Sequence, residues 1–202
     1  MAAARVVAQT QPEMIFEEKP LAYRVLLGFV VVLPILAVFI AMRQLWEEFA
    51  TWKDVLLLVG TYIPIALGVT VGLHRYFTHQ SFKLRREVKI ILAVLGLMSL
   101  QGRIFDWVSD HLLHHKYSDK PGKDLHSPFD GFWHSHTGWI FIGRRANPER
   151  FAPHILNDPD LVFLDKYYSV FAVISVFVLP YLLNGWQGVL WAGLVRIFLV
   201  HH

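Results

Sequence analysis

Cysteine is absent from this chain of 202 residues. Its absence excludes disulfides, CxxC redox motifs, thiolate-bound haem and iron–sulfur clusters. A metal ion bound by the chain must therefore take nitrogen or oxygen ligands, and imidazole nitrogen favours Fe, Zn, Cu or Ni. Any electrons that a reaction needs must come from a separate carrier.

Charged residues are also few. They make up 17% of the chain, against 54% hydrophobic and 14% aromatic residues, which is more apolar than a soluble domain of this size needs. We therefore expect the excess apolar surface to lie in a lipid bilayer. The net charge of +3 does not call for a nucleic-acid partner, because the lysines and arginines flank the apolar runs, as the positive-inside rule describes.

Residues 1–20 contain charged side chains and no apolar core of their own, so they do not form a cleavable signal peptide. We predict a polar, mobile cytoplasmic tail there. One membrane domain is predicted to follow it over residues 21–202.

Four apolar runs predict the spanning helices of that domain. The first two cover residues 21–42 and 55–73, and at about 1.5 Å per residue each can cross a hydrocarbon core of about 30 Å. Two more, residues 167–183 and 189–200, are joined by a turn sequence at 184–188 and predict a helical hairpin. The predicted fold class is all-α: an integral membrane protein with four transmembrane helices, a cytoplasmic helical cap and one interfacial helix.

The interfacial helix is predicted at residues 88–100, because about 13 residues of helix reach only about 20 Å and cannot cross a bilayer. This run separates two clusters of histidines, which therefore stay on one side of the membrane. That side holds most of the lysines and arginines, against only Arg43 and Lys53 in the opposite connector, so we predict that it is cytoplasmic. The polar region 103–167 is predicted to cap it with short helices.

The two histidine clusters predict a metal centre. His74 and His79 follow the second apolar run, and His111, His114 and His115 share one helix face through their i, i+3 and i+4 spacing. A separation of five residues is poor for one face of an ideal helix, so we expect the chain to bend between His74 and His79. The clusters together could offer more ligands than the three or four of a zinc site, which favours iron.

Carboxylates add two expectations. Asp110 and Asp119 are candidates to accept hydrogen bonds from ligating imidazoles and so orient them. No Glu-x-x-His pair lies on a predicted helix, which disfavours the carboxylate-bridged di-iron bundle of the ferritin type. An all-histidine centre that faces a membrane suits oxygen-dependent attack on a C–H bond of a long-chain substrate.

Three motifs carry a resemblance to a known family. They are HRYFTHQSFK at residues 74–83, DWVSDHLLHHKYSD at 106–119 and GFWHSHTGW at 131–139. Together they resemble the membrane acyl-CoA desaturases of the stearoyl-CoA Δ9 type. That resemblance implies four spanning helices, histidine boxes on the cytoplasmic face, a di-iron centre and a tunnel for a kinked acyl chain. It also implies the insertion of a cis double bond with O2 and two electrons.

The resemblance implies that two iron ions are bound by His74, His79, His111, His114 and His115. It places Trp107 near the substrate and the segment 131–139, which ends at Trp139, over the catalytic face. Arg144 and Arg145 are candidates to bind the phosphates of the acyl carrier, which stays open as coenzyme A, acyl carrier protein or lipid. A ferredoxin-like or cytochrome-type electron donor is expected to dock on the basic cytoplasmic face.

The chain departs from the family pattern at its C-terminus. The third histidine box of the family, of the His-x-x-His-His type, and the Asn-Ser-x-x-His element before it would lie beyond His202. We therefore expect a C-terminally truncated member that is inactive as it stands, with His201 and His202 outside the ligand set.

Three other functions fit parts of the sequence. A membrane lipid or carotenoid hydroxylase or ketolase would use related histidine boxes and would differ in its product. A metal transporter would need His, Asp or Glu inside the spans, and the apolar runs carry none at mid-depth. The third alternative is an inactive truncated paralogue with a structural role.

Overall fold

The computed structural model describes residues 11–202, which are mostly helical. The first two helices are α1 (Leu21–Trp46) and α2 (Trp52–Leu67), and α2 continues without a break as a π-helix (Gly68–Thr78). Shorter helices follow: α3 (Arg86–Leu97), α4 (Ile104–Tyr117), α5 (Phe132–His136), α6 (Pro148–Phe151) and α7 (Pro159–Lys166). The last ones are α8 (Tyr168–Val173), a π-helix (Ile174–Val178), α9 (Leu179–Gly188), a further π-helix (Val189–Val195) and α10 (Arg196–His201).

Three continuous helical stretches are long and apolar enough to cross a membrane. They are Leu21–Trp46, Trp52–Thr78 and Tyr168–His201. Their outer surfaces expose many large apolar side chains, such as Phe39 and Leu182, which suits contact with lipid. The chain is therefore an integral membrane protein, as its composition predicted.

The third stretch is two helices that run in opposite directions. Its backbone leaves the helical conformation at Asn184 and at Gly185, where φ is 55°, so the chain reverses there. Beyond this turn, a Cβ atom added at Gly193 would collide with the carbonyl oxygen of Val176. The absence of a side chain thus lets the two backbones touch, as small residues do between membrane helices. This confirms the predicted hairpin and, with it, four apolar helical segments.

The α3 helix has 12 residues, so it reaches about 18 Å and is too short to span. It packs closely against the second span at Gly68. A Cβ atom there would lie 2.5 Å from the carbonyl carbon of Leu95 and 2.6 Å from the backbone nitrogen of Gly96. The position and length of α3 agree with the interfacial helix predicted at 88–100.

The largest buried core joins the second span to α3, α4 and α7. Its buried members include Leu73, Phe77, Leu97, Ile104, Val108, Leu161 and Leu164. Because Leu73 and Phe77 flank His74, and Val108 lies three residues before His111, this core fixes the two histidine-bearing helices against each other.

The structure differs from the predicted mobile tail over residues 11–20. Strand β1 (Met14–Phe16) pairs in antiparallel register with strand β2 (Arg144–Ala146). The carboxylate of Glu13 accepts a hydrogen bond of 2.7 Å from the Tyr117 hydroxyl and also contacts Lys116. A strand of three residues is too short to show an alternating pattern, so no local pattern predicts it. Residues 1–10 of the predicted tail lie outside the described residues.

A buried arginine lies inside the last spanning segment. Arg196 is 0% exposed. Its guanidinium donates hydrogen bonds to the carbonyl oxygens of Ala192 (2.8 Å) and Met98 (3.1 Å) and to the hydroxyl of Ser175 (2.9 Å). Met98 follows the last residue of α3, so the positive charge lies at the negative end of that helix dipole. Arg196 thereby ties the interfacial helix to both legs of the hairpin.

The opposite end of the bundle is held by a second polar group. Asp54, at the start of α2, is buried and accepts hydrogen bonds from the amide of Asn184 (2.7 Å) and from the backbone N–H of Thr51 (2.8 Å). These contacts fasten the hairpin turn to the second span, far along the chain from the histidines.

Candidate metal centre

The first histidine pair is aligned by the π-helix that ends the second span. The backbone N–H of His79 donates to the carbonyl of His74 at 3.1 Å, which is the i to i+5 bond of a π-helix. Because this wider helix brings residues five apart onto one side, the two Nε2 atoms lie 3.2 Å apart. The predicted bend between the two histidines is therefore wrong. A local change from α-helix to π-helix aligns their side chains instead.

The second cluster supplies two more imidazoles from α4. His111 and His115 are one turn apart, and their Nε2 atoms are 3.0 Å from each other. Packing of α4 against the second span places the ring of His111 4.8 Å from that of His74, and the ring of His115 4.8 Å from that of His79. One nitrogen from each of the four rings lies within 4.8 Å of every other.

Burial keeps these imidazoles in the form that binds metal. Burial, reinforced by the neighbouring His115, lowers the pKa of His111 to about 3. Burial also lowers the pKa of His115, with His79 adding to the effect. Both rings are therefore neutral at pH 7, and a neutral imidazole offers a nitrogen lone pair to a metal ion.

The spacing of the four rings fits a first-row divalent metal. Two nitrogens that each lie about 2.1 Å from one ion at right angles are about 3 Å apart. The His74–His79 and His111–His115 nitrogen pairs, at 3.2 and 3.0 Å, match that value. The prediction that these four residues bind iron is thus compatible with the structure and stays a prediction.

The fifth predicted ligand, His114, lies in a neighbouring group. Its Nδ1 atom is 2.9 Å from a carboxylate oxygen of Asp124, and its ring stacks on that of His126 at 4.4 Å. Burial opposes ionisation of Asp124, but the backbone N–H groups of His126 and Asp119 and the imidazole of His114 outweigh it and lower the pKa of Asp124. This carboxylate is therefore ionised at neutral pH.

The contacts of Asp110 differ from those of the imidazole-orienting residue that it was predicted to be. Its carboxylate forms an ion pair with Arg145 at 2.7 Å and accepts a hydrogen bond of 2.8 Å from the backbone N–H of Ala146. Burial raises the pKa of Asp110 to about 6, and Arg145 opposes the shift. Asp110 thus fastens α4 to strand β2, and the imidazole partner is Asp124 instead.

The arginine pair predicted to bind carrier phosphates is already engaged. The side chain of Arg145 is only 16% exposed and is neutralised by Asp110. Arg144 donates to the carbonyl oxygen of Gly122 at 2.7 Å and to the sulfur of Met14 at 2.9 Å. Both arginines thus have structural partners, and their predicted role in substrate binding stays a prediction.

Both predicted tryptophans lie beside the histidines. The ring of Trp107 stacks on that of His111 at 4.7 Å, and its indole N–H donates to the side-chain oxygen of Gln101 at 3.0 Å. Trp139 lies 5.3 Å from the ring of His126. The segment that carries Trp139 is thus next to the second histidine group, and the assignment of either tryptophan to the substrate stays a prediction.

Three residues near the centre were not predicted to belong to it: Gln101, Asp124 and His126, the last of which was expected to be a solvated or hydrogen-bonded loop histidine. None of them has helical spacing to the clusters, since all three lie on loops. The weak signal available was the closeness of an Asp-x-His sequence, Asp124 to His126, to the second cluster.

The chain is similar to proteins of known function. A family model described as fatty acid desaturase matches residues 50–202. The chain is 35% identical over 190 residues to a hex-5-enoyl-[acyl-carrier protein] acetylenase of Moorena producens (84% of this chain, 59% of the relative). It is 37% identical over 143 residues to an sn-1 stearoyl-lipid 9-desaturase of Anabaena variabilis (70% and 52%), and 37% identical over 141 residues to stearoyl-CoA desaturase 5 of Bos taurus (64% and 41%). The chain thus spans about half the length of these curated relatives.

Proposed function

This chain belongs to the fatty acid desaturase family, and we propose that it takes part in the oxygen-dependent desaturation of a long-chain fatty acyl thioester. The double bond is proposed to be cis and of the Δ9 type. The reaction is proposed to take place at a histidine-bound di-iron centre on the cytoplasmic face of the membrane. The observation that carries this proposal is the convergence of four histidines from two helices, with one nitrogen of each ring within 4.8 Å of the others.

In this proposal the imidazoles of His74, His79, His111 and His115 hold iron, with His114 presented from the adjoining group. Bound iron would supply the activation of O2 and the removal of hydrogen from an unreactive C–H bond. The protein holds the rings in place beforehand. His115 is held by α4, His79 is held by its backbone hydrogen bond to His74 at the end of the π-helix, and Trp107 stacks on one face of His111.

The acyl carrier is proposed from the relatives, because neither Arg144 nor Arg145 is free in the structure. The three relatives are named for acyl carrier protein, lipid and CoA substrates. A thioester carrier is the version we propose. The electron donor is proposed to be ferredoxin-like or cytochrome-type, because the chain has no cysteine or other redox group of its own.

Fatty acid analysis tests this proposal. The complete reading frame that contains this chain, which is expected to add the third histidine box of the family, is expressed in cells supplied with saturated long-chain fatty acids, and the lipids are examined by mass spectrometry. We expect a new cis double bond, which a His74→Ala variant fails to produce. The control is His154→Gln, because His154 donates to the carbonyl of Phe77, lies outside the group of four converging histidines, and can be replaced by glutamine with that bond kept. A hydroxyl or keto product would replace the proposal with a hydroxylase or ketolase. Full activity of His74→Ala would contradict it outright.

A further inference from the structure

His114, Asp124 and His126 form a second group, separate from the four converging histidines. Asp124 is fully buried, with a side chain 0% exposed. A buried carboxylate needs hydrogen-bond donors, since an unpaired one costs several kcal/mol, on the order of the penalty for any buried ion. Each donor that it takes is therefore informative about its role.

Three donors surround this carboxylate. One oxygen accepts the backbone N–H of Asp119 at 3.0 Å and lies 2.9 Å from Nδ1 of His114. The other accepts the backbone N–H of His126 at 3.3 Å. The two backbone bonds hold Asp124 in one orientation, independently of His114. The carboxylate is thus a fixed acceptor, and its lone pairs are directed at the protein, which makes it a poor metal ligand itself.

The carboxylate oxygen that lies against Nδ1 of His114 also accepts the backbone N–H of Asp119, so it acts as an acceptor and the hydrogen in its contact with His114 is on Nδ1. The imidazole then carries its lone pair on Nε2. That atom has no hydrogen-bond partner among the described residues. The ring plane is held as well, because His126 stacks on it at 4.4 Å with 25° between the planes, and the ring of Trp139 lies 5.3 Å from that of His126.

We propose that Asp124 is a positioning residue that fixes the tautomer and direction of His114, and that His126 fixes its ring plane, so that Nε2 is presented to a metal ion. This inference rests on the proposed function. The pattern is that of ligating histidines generally, whose second nitrogen donates to a carboxylate that raises their basicity. His114 is then a ligand for a metal ion next to the four converging rings, and Asp124 tunes how strongly that ion is held.

Metal titration of the full chain tests the proposal. The purified protein in detergent is freed of metal and titrated with Co2+, whose d–d absorption reports nitrogen ligation. We expect Asp124→Ala to weaken Co2+ binding by about 10- to 100-fold, the usual effect of removing such a partner. Asp124→Asn keeps an acceptor oxygen for Nδ1 and should retain more affinity than Asp124→Ala. Asp54→Asn is the control, because Asp54 is as deeply buried but lies at the other end of the bundle.

A double-mutant comparison separates orientation from general damage. If Asp124 acts through His114, Asp124→Ala has no further effect on Co2+ affinity in a His114→Ala background. Equal weakening in both backgrounds would overturn the proposal, and so would wild-type affinity in Asp124→Ala. If the unaltered chain binds no Co2+ at all, the proposed function fails first and the inference fails with it. Binding by the unaltered chain with no effect at Asp124 refutes this inference alone.

The tautomer of His114 in the metal-free chain tests the proposal even if the Asp124 variants do not fold. Nitrogen NMR of the metal-free chain labelled with 15N-histidine reports which ring nitrogen of His114 carries hydrogen. We expect the Nδ1–H tautomer in the unaltered chain and in Asp54→Asn. An Nε2–H tautomer of His114 would overturn the proposal.

Discussion

The close approach of α3 to the second span at Gly68 gives a sharp prediction. A Cβ atom at this position would lie 2.5 Å from the carbonyl carbon of Leu95. Ordinary carbon contacts begin near 3.4 Å, so Gly68→Ala forces the two backbones apart by about 0.9 Å or strains them where they stand. Overpacking of this kind costs about 1–3 kcal/mol. Because His74 follows six residues later on the same helix, the shift also disturbs the spacing of the four imidazoles.

Gly60→Ala is the matched control for Gly68→Ala. Gly60 lies on the same helix, and a Cβ atom there meets nothing within 4 Å. Both substitutions gain helix propensity of up to about 1 kcal/mol, so the difference between them isolates the clash. At about 2–4 °C per kcal/mol for a chain of this size, the melting temperature of Gly68→Ala in detergent should be about 2–12 °C below that of Gly60→Ala. Equal melting temperatures would refute the close packing of α3.

Three further predictions follow from the ion pairs and pKa shifts. Arg145→Met leaves the buried carboxylate of Asp110 without its ion-pair partner and should lower the free energy of unfolding by about 3–5 kcal/mol. Adding Asp110→Leu to the same chain should restore part of that loss. Glu13→Gln should cost less than about 1 kcal/mol at pH 7, because the pair with Lys116 is partly exposed. Co2+ should be released on acidification with a midpoint below pH 6.5, the ordinary pKa of histidine, because burial lowers the pKa of His111 to about 3.

A specific result would contradict each of these three predictions. Hydrogen bonds from Lys116 and Tyr117 lower the pKa of Glu13 from 4.5 to about 2, so its contribution is present above pH 4.5 and fades as the pH falls through about 2. A Glu13→Gln effect of the same size at pH 2 and pH 7 would contradict this. For Arg145→Met, a double variant no more stable than the single one would show that the Asp110 charge is not the cause. Cobalt release centred above pH 6.5 would show that the ligating rings are not desolvated.

The sequence predicted the parts of this molecule that local patterns encode. Four apolar runs and two histidine clusters depend only on residue spacing along one helix, and the spans, the hairpin and the convergence of His74 with His111 followed from them. The reversal at Gly185 was signalled by the Asn-Gly pair that precedes the next apolar run.

The parts that it missed depend on residues far apart in the chain. Asp110 binds Arg145 because strand β2 is held by a strand near the N-terminus, and no local pattern announces that pairing. Asp124 reaches His114 from a loop, where no periodicity applies. The π-helix at His79 gives the i to i+5 alignment that an α-helical pattern made look unfavourable.

Arg196 shows the same limit in the membrane. His, Asp and Glu inside the spans would indicate an ion path, and Arg196, close to the end of the last apolar run, is none of these. Its charge is stabilised by carbonyl oxygens at the end of α3, which only the packing of the hairpin against that helix brings within reach.

The most direct test of the central claim is the coordination of iron in the purified chain. Fe2+ is loaded anaerobically, its stoichiometry is measured by elemental analysis, and X-ray absorption counts the imidazoles around it. We predict bound iron with nitrogen neighbours at about 2.1 Å and the multiple-scattering pattern of several imidazoles. This iron signal should be lost when His74 and His115 are both changed to alanine, and it should be kept in His154→Gln. Iron that is absent, or bound equally well without His74 and His115, would contradict the metal centre proposed here.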